Sequence, residues 1–152
     1  MRGEAIATWG AVVAWTWLIW GLGGDDFSLA STSRILGPLL QWLFPGISPE
    51  SLEIVHIAVR KGFHALEYAA LALLALRALL LTWALPAARG AALALAFTLA
   101  VAASDEARQA WSGAREGAWA DVVLDLAGAG AAVAAVRVLP GSAKRLLIGR
   151  GD

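Results

Sequence analysis

Acidic and amide side chains flank the junction between two apolar runs, and they are the residues of this sequence best suited to chemistry. Asp105 and Gln109 lie four residues apart at the end of one run, and Asp121 and Asp125 lie four apart at the start of the next. This spacing places both members of each pair on one face of a helix. Because charges beside apolar helices are energetically costly, they indicate a function or a specific helix contact.

A second polar cluster lies on an earlier segment. Lys61, His64 and Tyr68 share one helix face, with Glu67 beside them. Arg115 lies between the two acidic pairs, and the two cations suit a phosphorylated or otherwise anionic head group. We predict that these groups meet in one ligand site. Its candidate residues are Lys61, His64, Glu67, Tyr68, Asp105, Glu106, Gln109, Arg115, Asp121 and Asp125.

The charges in this region do not balance. The carboxylates belong to Glu67, Asp105, Glu106, Glu116, Asp121 and Asp125, and the cations to Arg60, Lys61, Arg108 and Arg115. Six acids minus four bases leaves two excess negative charges. Protonation of some carboxyl groups, exposure to water, or a bound divalent cation would each resolve the excess. His64, Asp105 and Asp121 are the candidate metal ligands, since histidine and carboxylates suit such ions.

Three functions fit this cluster. It is a pocket for an anionic ligand, a catalytic site of a membrane enzyme acting on a lipid-linked phosphate with His64 as base or metal ligand, or a set of ion pairs that only specifies helix packing. The sequence contains no serine-nucleophile elbow, phosphate-binding loop or zincin helix. An enzymatic function is therefore left open, with a non-enzymatic protein favoured.

Composition indicates the class of protein. Hydrophobic residues make up 59% of the chain and charged residues 16%, against roughly 45–50% and about 25% in soluble domains. With a mean hydropathy of +0.67, these values indicate an integral membrane protein. The net charge of +0 gives no reason to expect nucleic acid as a partner. Because cysteine is absent, disulfides and thiolate metal sites are excluded.

Apolar runs predict an all-α bundle of four transmembrane helices within one domain, residues 1–141. The spans are expected at about residues 5–23, 63–85, 91–111 and 118–139. The first run is longer than the apolar core of a signal peptide, and no A-x-A site follows it. The second span continues a polar helix capped by Ser48 or Ser51.

Gly128, among alanines and glycines, predicts a close helix contact.

The remaining segments are predicted to lie outside the membrane core. Residues 28–44 are either an amphipathic segment on the membrane surface or a loop that caps the bundle, interrupted at Gly37-Pro38. His56 is predicted to be solvated near the start of its helix. Residues 142–152 are predicted to form a mobile basic tail.

Basic residues predict the orientation. The side with both termini holds Arg2, Arg77, Arg89, Arg137, Lys144, Arg145 and Arg150. The opposite side holds Arg34, Arg60, Lys61, Arg108 and Arg115. Seven against five, together with few acids near the first group, favours cytoplasmic termini and an outward-facing polar cluster.

The polar motifs together resemble the VanZ-like family of small bacterial membrane proteins. They are Lys61-x-x-His64-x-x-Glu67-Tyr68, Asp105-Glu106-x-x-Gln109, Arg115, and Asp121-x-x-x-Asp125-x-x-Gly128, within about residues 60–136. The family usually has a Val-Pro-Gly-Arg hairpin, which lacks its proline here, and asparagine in place of Asp125. The resemblance implies a multi-pass protein of the bacterial inner membrane, and it implies no particular reaction. The family's namesake is associated with teicoplanin resistance. Membrane lipid and a lipid-linked cell-wall precursor are the expected partners.

Overall fold

The computed structural model of the chain describes residues 2–22, 29–83, 85–112 and 119–149. These residues form six helices and no strand, which confirms the all-α prediction. In chain order they are α1 (Arg2–Leu22), α2 (Leu29–Leu43), α3 (Pro49–Thr82), α4 (Ala87–Ser112), α5 (Trp119–Val136) and α6 (Gly141–Ile148).

Three of the described helices are long and apolar enough to cross a membrane. They are α3, the Ala87–Trp111 part of α4, and α5. These helices overlap the predicted spans at 63–85, 91–111 and 118–139. This agreement supports the prediction of a membrane protein. Helix α1, the remaining predicted span, is 21 residues long and is not among these three. The four-span bundle therefore stays a prediction.

Helix α3 is the element against which α1, α2, α4, α5 and α6 all pack. Of the two predicted caps the structure uses Ser48, whose side-chain oxygen accepts a hydrogen bond from the Ser51 backbone N–H at 3.2 Å. Pro49 occupies the first turn, where its missing N–H costs no intrahelical bond. At the other end, the backbone of Trp83 becomes extended and ends the helix.

Two apolar clusters fill the space around α3. The first surrounds the fully buried Tyr68 and Leu71 and includes Val12 and Ile19 of α1. The indole N–H of Trp15 also donates to the Glu67 carbonyl at 2.9 Å, which ties α1 to the same level of α3. The second cluster lies nearer the C-terminal end of α3 and joins residues of α3, α4, α5 and α6.

Helices α3 and α5 touch backbone to backbone at Gly128. A Cβ atom placed on Gly128 would lie 2.5 Å from the Ala65 carbonyl oxygen, so only glycine fits without a shift of one helix. This contact brings the first turns of α5, which carry Asp121 and Asp125, beside the level of Lys61 and His64 on α3. Small residues therefore set the spacing of the polar cluster.

Two segments differ from the predictions. Helix α2 continues through Pro38, although a proline inside a helix removes one backbone donor and disfavours the helix. Residues 141–148 form α6 where a mobile tail was predicted. Ile148 is buried in the second apolar cluster, and the Arg77 guanidinium donates to the Leu146 carbonyl. Gly149, at φ +73°, ends α6 in the left-handed conformation that glycine favours.

Candidate functional site

An ion pair joins α3 to α5 at the accessible edge of the polar cluster. The Lys61 ammonium lies 2.7 Å from Asp121 Oδ1, and the two side chains are 44% and 23% exposed. An ion pair this exposed contributes only about 0–1 kcal/mol to stability. An ammonium group has three N–H donors, so Lys61 can hold Asp121 and still donate to a ligand.

Asp105 is the best-satisfied acid of the cluster. Its side chain is 3% exposed, and its Oδ1 accepts from the Arg108 guanidinium at 2.8 Å. Its Oδ2 accepts from the Gln109 side-chain amide at 2.7 Å, as their four-residue spacing predicted. Arg108 also donates to the Trp20 carbonyl at 3.3 Å, which links α4 to α1. These contacts leave Asp105 better suited to orienting its neighbours than to holding a ligand by itself.

Asp125 lies one turn deeper along α5 and is only 4% exposed. Its Oδ1 atom is buried and has no hydrogen-bond partner among the described residues. Asp105, Asp121 and Glu67 all lie within electrostatic range of this carboxyl group. A buried carboxyl oxygen without a hydrogen-bond donor is rare in folded proteins, so Asp125 is the acid of this cluster that contacts within the protein explain least.

The remaining predicted residues surround these three acids. His64 is half-buried and lies within electrostatic range of Asp105 and Asp121. Tyr68 is 1% exposed and within range of Asp105 and Asp125.

Glu106 reaches a neighbouring cavity between α4 and α5. This cavity has a volume of about 140 Å³ and is also lined by Ala103, Ala107, Ala110, Trp119 and Val122. Typical ligand pockets measure roughly 300–1,000 Å³, so this space suits only part of a larger molecule.

Within the described ranges, no three histidine or acidic residues are arranged so that they could hold a metal ion. The candidate ligands His64, Asp105 and Asp121 therefore do not form a coordination site in this arrangement. The oxygens of Asp105 face Arg108 and Gln109, and Asp121 faces Lys61. The proposed divalent cation stays a prediction.

Arg115 and Glu116 fall outside the described residues. The part of the cluster that the structure describes has five carboxylates, from Glu67, Asp105, Glu106, Asp121 and Asp125, and three cations, from Arg60, Lys61 and Arg108. The negative excess noted in the sequence therefore persists in this part.

Arg60 was counted among the nearby charges but missed as a site residue. Its Nε atom is buried and has no hydrogen-bond partner among the described residues. Asp121 and Glu106 lie within electrostatic range of its guanidinium group. The signal in the sequence was its spacing of four residues from His64, which places the two side chains on one helix face. In the structure Arg60 and Lys61 border the same group of acids.

His56 is also buried, at 6% exposure, so the prediction that it is solvated is wrong. Helix α2 covers it, and a Cβ atom on Gly37 would lie 3.8 Å from its ring. A cavity of about 480 Å³ lies beside it, lined by Gly37, Pro38, Gln41, Pro49, Leu52, Glu53 and His56. The Gly37-Pro38 pair was interpreted as an interruption, whereas in the structure it lies within α2 and lines the cavity beside His56.

A model of the VanZ/LLP1 family matches residues 8–140. The matched region includes the whole polar cluster and extends the predicted resemblance toward the N-terminus, through most of α1. No curated protein and no solved structure shows a significant match to the chain.

Proposed function

Since the chain belongs to the VanZ/LLP1 family and is a VanZ-like membrane protein, we propose that it binds an anionic, lipid-linked ligand of the bacterial cell envelope. In this proposal α1, α3, α4 and α5 cross the inner membrane and both termini are cytoplasmic. The polar cluster then faces the outer leaflet, where lipid-linked cell-wall precursors are exposed. A role like that of the family's namesake in teicoplanin resistance follows from such a ligand.

The observation that carries this proposal is the half-exposed Lys61–Asp121 pair above the buried, unpartnered oxygen of Asp125. Lys61 and Arg60 supply N–H donors that suit a phosphate group. Asp121 and Asp125 supply acceptors that suit the hydroxyl or amide groups of a sugar or peptide. A ligand that combines a phosphate with such donors matches this mixed site better than a simple anion, which the acids would repel.

The orientation has its own test. A reporter enzyme that is active only in the periplasm, fused after Asp152, should remain inactive if the C-terminus is cytoplasmic. The same reporter inserted between α1 and α2 should be active, because in this proposal three spans, α3, α4 and α5, separate that position from the cytoplasmic C-terminus. The reverse pattern would place the polar cluster at the inner leaflet.

Helix packing is a second candidate role, and the contacts of Asp105 favour it. Asp105 binds Arg108 and Gln109 on its own helix, and Arg108 reaches α1. Such contacts satisfy buried polar groups without any ligand. The two roles make different predictions for the Lys61–Asp121 pair, whose exposure limits its contribution to stability.

The test compares Lys61→Met with the double exchange Lys61→Asp/Asp121→Lys. For a ligand site, Lys61→Met lowers the melting temperature little. Mass spectrometry then identifies a lipid that co-purifies with the wild-type protein and is lost from both variants, together with any protection against teicoplanin. For a packing role, the exchange restores the ion pair and all wild-type properties. Arg89→Met, an exposed cation at the other end of the bundle, is the matched control. Wild-type ligand retention in Lys61→Met would refute the proposal.

A further inference from the structure

A cavity lies at the end of the bundle opposite to the polar cluster. It has a volume of about 340 Å³, which is within the range of small-molecule pockets. Its apolar wall comes from four helices: Leu76 and Leu80 of α3, Ala91 of α4, Val133 of α5 and Ile148 of α6. Neither the polar cluster nor the proposed function uses this space.

Two basic residues line the same cavity. Arg137 follows directly after α5 and is exposed, and Lys144 lies on α6 and is half-buried. Among the described residues at this end of the molecule, Glu4 is the one acid, and it does not line the cavity. The site therefore combines an apolar interior with a positively charged edge.

We propose that this cavity, lined by Leu76, Leu80, Ala91, Val133 and Ile148 and bordered by Arg137 and Lys144, binds an anionic phospholipid. One acyl chain enters the apolar space, and the phosphodiester accepts hydrogen bonds from the two cations. Basic pockets between membrane helices bind lipid head groups in this way. The long stems of arginine and lysine also allow their charges to reach the head-group level from a buried backbone.

The shape of the cavity favours a lipid over free phosphate as its occupant. A phosphate ion alone would leave the apolar wall in contact with water, whereas an acyl chain covers it. A zwitterionic lipid would fill the apolar space equally well and gain less from the two cations. The proposal therefore predicts a preference for the anionic head group that depends on Arg137 and Lys144 specifically.

Native mass spectrometry of the purified protein tests this preference. Phosphatidylglycerol and phosphatidylcholine with identical acyl chains compete for binding, and wild-type protein should prefer phosphatidylglycerol. Since each cation near a lipid surface contributes roughly 5-fold in affinity, Arg137→Gln/Lys144→Gln should weaken phosphatidylglycerol binding roughly 30-fold. Arg89→Gln/Arg145→Gln, which removes two exposed cations outside the cavity lining, is the matched control and should bind like wild type.

A second variant tests the cavity without changing its charge. Ala87 is exposed at the cavity edge, so Ala87→Phe should fill the opening, keep the fold and reduce binding of both lipids. This variant decides the question if the charge variant fails to fold, as judged by its melting temperature. Equal losses in the two charge variants, unchanged binding in Ala87→Phe, or displacement of phosphatidylglycerol by inorganic phosphate would each overturn the proposal.

Discussion

The two ends of the helix bundle differ in where their charged side chains lie. At the polar end, acids lie inside the bundle, where Asp105 and Asp125 are almost fully buried and cations contact some of them. At the basic end, the interior is apolar, and Arg137 and Lys144 lie at its edge. Charge inside a bundle must be satisfied by specific partners, whereas charge at an edge can be solvated or meet lipid head groups.

This difference suggests where mutations should act on stability and where they should act on binding alone. Helix packing at the polar end depends on a backbone contact at Gly128 and on hydrogen bonds within the protein. The basic end depends on contacts among aliphatic side chains and on α6, whose Ile148 is buried in the second apolar cluster and whose Leu146 carbonyl accepts from Arg77 of α3. We expect large effects on unfolding at the first end and local effects at the second.

The largest effect is expected from Gly128→Leu. A side chain there meets the backbone of Ala65, which cannot move without displacing α3, so the free energy of unfolding should fall by about 3 kcal/mol. Gly130→Leu on the same helix is the control, since its added Cβ has no neighbour within 4 Å. Unfolding in detergent, followed by circular dichroism, measures both. Equal melting temperatures for the two variants would show that α3 and α5 are not in close contact.

A smaller loss is expected from Asp105→Ala. It removes the carboxylate that accepts from the buried amide of Gln109, and the loss of this hydrogen bond should cost about 2 kcal/mol of unfolding free energy. Asp105→Asn keeps one acceptor oxygen for Gln109 but turns an NH2 donor toward Arg108. Because Arg108 is partly exposed and can donate to water instead, this variant should cost less than alanine, about 1 kcal/mol. The same unfolding experiment ranks the two. Equal losses for the two variants would mean that the charge pairing with Arg108, which both variants remove, stabilises this end, rather than the buried hydrogen bond to Gln109.

Local patterns in the sequence were sufficient to predict most of the helices. Long apolar stretches and the Ser48-Pro49 start signal defined α3, and the apolar runs defined α4 and α5. Each of these signals acts within a few turns of one helix. The tail was mispredicted because Pro140-Gly141 was interpreted only as the end of α5, although proline also commonly begins a helix and Gly149 supplies its end.

Partner choice within the polar cluster could not be predicted in the same way. Spacing correctly placed Asp105 and Gln109 on one face, because both lie on one helix. The pairing of Lys61 with Asp121 depends on how α3 and α5 are rotated about their axes, which the sequence does not specify residue by residue. The burial of His56 likewise depends on where α2 lies, which the residues around His56 do not specify.

The smallest effect is expected at the basic end from Arg77→Met. Methionine keeps much of the apolar stem but cannot donate to the Leu146 carbonyl, so α6 should lose one partly exposed hydrogen bond, worth about 1 kcal/mol. Because α6 has only eight residues, the loss should appear as local opening rather than as global unfolding. Hydrogen exchange should therefore increase at residues 141–148 and remain unchanged in α3 and α5. Arg89→Met, at an exposed position on α4, serves as control. Faster exchange throughout the bundle would mean that α6 stabilises the whole membrane domain, and the contrast between the two ends would then be wrong.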